Sequence, residues 1–106
     1  VVSNHGGRVL DTLVTTMDIL PKIVEVVDNK IPILLDGGIT RGTDILKALA
    51  LGASAVMIGK PIMYGLATAG ALGVAHSLKI LKDELEIAMA LTGCKTLRDI
   101  NKDILF

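Results

Sequence analysis

The chain has 106 residues, 51% of them hydrophobic but only 2% aromatic, so one small domain with an aliphatic core of Ile, Leu, Val, Ala and Met is expected. Lys and Arg together number 11, as do Asp and Glu, and the resulting formal charge of zero excludes a field strong enough to grip nucleic acid or an anionic membrane surface. Cys94 is the one cysteine and cannot close an internal disulfide; with no targeting or membrane-spanning stretch in view, a cytoplasmic protein with a free, buried thiol is expected.

Val1 and Val2 have the character of the tail of a strand, followed by the polar, glycine-bearing loop Ser3-Asn4-His5-Gly6-Gly7-Arg8 and a connector over residues 9–16. From Asp18 the spacing of Leu20, Ile23, Val24 and Val27 predicts a helix with one apolar face. Pro21 falls in its expected first turn, and Asn29-Lys30 ends it. Residues 33–35 form an apolar run too continuous for a one-sided sheet, which predicts a strand buried on both faces. Asp36-Gly37-Gly38 stops that strand abruptly.

A helix is expected over residues 43–51, with Ile45, Ala48 and Leu49 inward and Gly52 just past its end. A buried strand at 55–58 then runs into Gly59, Lys60 and Pro61, the proline standing at a first helical position. A glycine-rich passage through Tyr64 and Gly73 leads to a long helix over 74–91. Leu78, Leu81, Leu85, Ala88 and Met89 form its apolar stripe, and Lys79, Lys82, Asp83, Glu84 and Glu86 its wet side. Gly93 stops it, and Thr96-Leu97-Arg98-Asp99 resembles a capping box opening one short last helix.

The β-α-β-α-β-α order predicts parallel strands joined by right-handed crossovers. Three strands, the first a stub, leave two open edges. A closed parallel barrel takes eight strands and typically about 250 residues. The loops after the three strand ends should share one rim, where α/β proteins place their sites. The first carries His5, a natural general base near neutral pH, and Arg8, whose guanidinium can grip a carboxylate bidentately. The second carries Asp36, Gly37 and Gly38 and then Arg41; the third carries Gly59 and Lys60. Two glycine turns with free amides, each feeding a helix start and flanked by a cation, make a seat for one phosphate group. Singly, each of these is an ordinary turn or surface residue, and their shared rim is what points to chemistry. His76 lies within a helical stretch and has a structural reading, and the four Met residues are core filler.

The combination of Ser3-Asn-His-Gly-Gly-Arg8, Leu35-Asp-Gly-Gly-Ile-Thr-Arg-Gly-Thr-Asp44, Lys47-Ala-Leu-Ala-Leu-Gly-Ala53 and Ile58-Gly-Lys-Pro61 resembles the C-terminal part of the FMN-dependent α-hydroxy acid oxidising enzymes, the glycolate and lactate oxidase group. Glu84-Leu-Glu-Ile-Ala-Met-Ala-Leu-Thr-Gly-Cys94 is similar to that family's last barrel helix, so the resemblance runs end to end. It implies an α/β fold, the C-terminal portion of a (β/α)8 TIM barrel from the end of strand 6 through helix 8. Residues 1–106 would then be a partial domain, its N-terminal half supplied from outside this stretch. It further implies FMN as cofactor, a small 2-hydroxy acid as substrate, and oxygen or another electron acceptor as the final oxidant. His5 matches the catalytic base, and Arg8 the residue that binds the substrate carboxylate. Ser3, Asp36, Gly37, Gly38, Ile39, Thr40 and Arg41 match the stretches around the cofactor, and Gly59 with Lys60 the second phosphate loop.

Three positions depart from the family pattern. Thr40 and Lys60 stand where arginines are usual, and Val9 where glutamine is common. The family's flavin-ring contacts, and the aspartate that orients its histidine, belong to strands that precede those found here. A competing reading is a non-catalytic half-barrel that binds phosphate or FMN weakly and associates with itself, two copies covering each other's open edges. Association with the missing barrel half, or a homo-oligomer, is expected; a nucleic-acid or membrane partner is not. Another phosphate-binding parallel barrel would use the same glycine turns, but the Asn4–Arg8 loop argues against it.

Overall fold

Thr15 opens the first helix by accepting the Asp18 amide on its hydroxyl oxygen at 3.2 Å, while that hydroxyl donates to the Asp18 carboxylate at 2.7 Å. Helix α1 therefore spans Thr16–Val27 in the computed structural model, which describes residues 1–105. Starting two residues ahead of Asp18, it holds Pro21 in its second turn, not the expected first. Asp28 closes it in the left-handed region, returning its amide to the Val24 carbonyl at 3.0 Å. Leu20 is fully buried, and Ile23, Val24 and Val27 pack on the same cluster, as the spacing predicted.

Strand β1 is Leu34–Asp36 and strand β2 is Ala55–Met57, paired in parallel with Leu34 opposite Ala55 and Asp36 opposite Met57. Both lie within one residue of expectation at their ends. Ile33 stays outside β1, its amide taken by the Ser54 hydroxyl at 3.0 Å. On the other side of β1, Val2 forms a parallel bridge with Leu35: its amide donates to the Leu34 carbonyl and its carbonyl accepts the Asp36 amide, both at 2.8 Å. The order across the molecule is thus Val2, β1, β2, with β1 in the middle.

Alternation along the strands separates two faces. Val2 and Leu35 are buried toward the helices, where Leu20, Ile45, Ala48 and Leu81 complete the main core. The opposite face shows Leu34, Asp36, Ala55 and Met57. The both-face burial expected of β1 is met only in part, Leu34 being half-buried. The buried strand expected at 55–58 is corrected: Ala55 and Met57 are exposed because no described layer covers this face or the outer edge of β2.

Helix α2, Gly42–Ala50, starts where the Asp44 carboxylate accepts the amides of Thr40 at 3.0 Å and Arg41 at 2.9 Å. Ile45 and Ala48 are inward as expected, together with Leu46 and Ala50. Helix α3, Lys60–Leu91, overturns the expected glycine-rich passage: residues 60–68 are already helical, and the chain doubles back at Ala69 and Gly70, both outside helical geometry. Gly65 and Gly73 are contact glycines, since a methyl on Gly73 would strike the Gly65 carbonyl. Leu81 and Ala88 are buried as predicted, but Leu78 is 48% exposed.

Glu84 is also corrected. Placed on the wet side by its position, it is half-buried and clamps α3 to the start of α2, accepting the Gly42 amide at 2.7 Å and the Arg41 Nε at 3.0 Å. The Gly42 amide first, and then the Arg41 guanidinium, hold its carboxyl below the usual range. A lowered folded-state value contributes stability above the ordinary carboxyl range, lost as pH falls through the folded value. Glu84→Gln is therefore expected to lower the denaturant midpoint at neutral pH and to converge on the parent in acid. Parallel curves across that range would contradict the clamp.

Cys94 is free and buried beside Leu46, Ala50, Ala88 and Ile100, as expected. The expected last helix is a single 3-10 turn, Leu97–Asp99, capped by the Asp99 carboxylate on the Thr96 amide at 2.6 Å. A second such turn, Lys102–Ile104, was not anticipated. Among the described residues no helix is long and apolar enough to cross a membrane.

Candidate active site at the strand ends

Because Val2, β1 and β2 run in the same direction and in register, the residues that follow them emerge at one rim. The loop after Val2 turns through three successive left-handed residues, His5 at φ 57, Gly6 at φ 63 and Gly7 at φ 70. A histidine in that region needs outside support. The Gly7 amide reaches the Asn4 carbonyl at 3.1 Å, and the Arg8 amide the His5 carbonyl at 3.2 Å. The Ser3 hydroxyl accepts the His5 amide at 3.1 Å and donates to Asp36 Oδ2 at 2.6 Å. His5 and Arg8 are both exposed on this loop.

The loop is seated on the turn after β1. A methyl on Gly37, whose φ is 97, would sit 3.2 Å from Asn4 Oδ1 and 3.5 Å from Thr16 Oγ1. The Thr16 hydroxyl, at the buried start of α1, donates to the Gly37 carbonyl at 3.4 Å. The first and second loops and the head of α1 thus meet at one place. Gly59 lies two residues past the end of β2, the strand paired with β1.

Among the described residues, the amides of Gly38, Ile39, Gly59 and Lys60 have no protein acceptor. Gly38 and Gly59 face open space where a side chain would stand. Ile39 is buried in the main core, so its side chain takes no part at the rim. Lys60 is exposed at the first turn of α3 and forms no ion pair among the described residues. Unsatisfied amides at two glycine turns, a helix start and one cation suit a phosphate monoester such as that of FMN.

Two expected cofactor residues are engaged elsewhere. The Arg41 Nε is bound to Glu84 Oε1 at 3.0 Å, and the Thr40 hydroxyl turns back to Asp44 at 3.3 Å. Glu84, which determines where Arg41 points, was read only as part of the wet side; its one signal is its place four residues before the buried Ala88, on the inward face. His76 is exposed on α3, lining a shallow hollow with Pro61, Tyr64 and Leu72. A hollow of about 630 Å³ beside Leu85, Met89 and Leu97 includes none of the rim residues in its lining.

Parallel strands whose glycine-bearing ends gather one base, two cations and free amides place the molecule among the α/β proteins with a strand-end site. The model of the FMN-dependent dehydrogenase family matches residues 1–106, and the chain belongs to that family. It is 56% identical over 105 residues to an L-lactate oxidase of Nostoc sp., covering 99% of this chain and 29% of that protein. It is 56% identical over 103 residues to a peroxisomal (S)-2-hydroxyacid oxidase of Arabidopsis thaliana, covering 97% of this chain and 28% of the relative. A solved mandelate oxidase with a monooxide FMN adduct superposes with a TM-score of 0.86 at 50% identity, over 91% of this chain and 31% of its own. The chain therefore spans under a third of the length of these relatives.

Proposed function

We propose that residues 1–106 are the C-terminal part of a (β/α)8 barrel, from the end of the sixth strand through the eighth helix, in an FMN-dependent enzyme that oxidises a small (S)-2-hydroxy acid to the 2-oxo acid. The observation that carries this reading is the docking of the His5–Arg8 loop on the Asp36-Gly37 turn, at the rim shared with Gly59. Arg8 holds the substrate carboxylate, and His5 accepts the proton lost from the 2-hydroxy acid. The amides of Gly38, Ile39, Gly59 and Lys60, with the Lys60 ammonium, hold the cofactor phosphate. When bound, the flavin supplies the two-electron acceptor. The remaining barrel strands complete the pocket, in a cytoplasmic or peroxisomal setting.

The decisive experiment is anaerobic addition of lactate or glycolate to the protein with its barrel complete and FMN bound. Bleaching of the flavin absorbance is expected, and its absence would overturn this reading; FMN binding without bleaching by residues 1–106 alone, in a dimer, would instead favour the self-associating half-barrel. That second reading draws on the exposed Ala55 and Met57 and the unpaired outer edge of β2. Thr40→Arg combined with Lys60→Arg is expected to raise flavin retained through dialysis, because a guanidinium fork grips phosphate at two points. Unchanged flavin content would argue that neither position faces the phosphate.

A further inference from the structure

We propose that Asp36 is a positioning residue for the base, acting through Ser3 to hold the His5 loop in its left-handed turn. The inference rests on the reading of His5 as the base.

Asp36 is held in register as the last residue of β1, its amide bonded to the Val2 carbonyl at 2.8 Å. Its carboxylate accepts the Ser3 hydroxyl at 2.6 Å, a charge-assisted bond. That fixes which way the Ser3 oxygen offers its lone pair, and the His5 amide donates to it at 3.1 Å. The carboxylate thus reaches His5 through two hydrogen bonds. Without them the His5 amide loses its acceptor, the φ of 57 is left to the Gly7–Asn4 and Asn4–Val14 bonds alone, and an L-residue there relaxes toward negative φ. Such a change swings the imidazole away from the place where Arg8 presents the substrate. The same contacts join the base loop to the phosphate-side turn, since Gly37 lies against Asn4 and Gly6. A residue matched to the cofactor would then also determine where the base stands.

The test is made on the full-length flavoprotein with Ser3→Ala, Ser3→Thr and Asp36→Ala. Amide exchange resolved at His5 is followed beside kcat per bound flavin, KM and flavin content. Ser3→Ala and Asp36→Ala are expected to speed His5 amide exchange and lower kcat per bound flavin, each by about tenfold, from loss of a hydrogen bond to a charged group. Exchange at Leu35 should stay at the parent value, and Ser3→Thr should restore both readings. A purely structural role would accelerate exchange at Leu35 equally and overturn the proposal. Lower flavin content with parental His5 exchange and parental kcat per bound flavin would also overturn it, leaving Ser3 and Asp36 as cofactor contacts only. A parent protein that never bleaches with 2-hydroxy acids defeats the functional reading itself, an outcome separable from an active parent whose variants behave like it.

Discussion

Replacing His5 with asparagine in the protein with its barrel complete is expected to lower kcat by about 10³-fold, equivalent to about 4 kcal/mol of barrier. Asparagine suits the test because it tolerates the left-handed region better than most residues, so the loop at φ 57 keeps its course. It cannot accept a proton at neutral pH, so the base is removed while Ser3, Arg8 and the glycine turns remain. Stopped-flow bleaching of the flavin by lactate should slow by the same factor while flavin content stays unchanged. A bleaching rate within threefold of the parent would assign the proton to another group and remove His5 from the mechanism.

The largest effect on stability is expected from Gly42→Ala. Gly42 is the first residue of α2, and an added methyl would run into the backbone of Glu84 and Leu85 on α3. Backbone cannot step aside by changing a rotamer, so the helices must separate. The Glu84 bond to the Gly42 amide and the packing of Leu46 and Ala50 on Ala88 go with them. A loss of about 3 kcal/mol is expected, the upper part of the range for overpacked sites. Chemical denaturation measures it, and Glu84→Gln separates the hydrogen bond from the steric term. If alanine unfolds at the parental midpoint, α2 and α3 are not in direct backbone contact.

The rim was legible because its signals are local. A short apolar run ending in Asp36-Gly37-Gly38 and another ending in Gly59-Lys60 read together as two strand ends, and helical spacing between them makes the strands parallel. Contacts between distant segments leave no such mark. Glu84 occupies a position that in an isolated helix is wet, and only the arrival of α2 turns it into a clamp. Gly65 and Gly73 were taken for loop residues because glycine weakens a helix, yet here the missing side chain is what lets two arms touch. Leu78, Ala55 and Met57 follow apolar spacing in the sequence, yet among the described residues no neighbour covers them.

Because α3 doubles back on itself, its arms are joined by the crossing of Gly65 and Gly73 rather than by the covalent bond at the tip. The tip, Ala69 to Ala71, is small and faces water, the sort of position where a protease nick or an inserted module is tolerated. A circular permutant opened there would reorder the gene while leaving every strand beside its present neighbour.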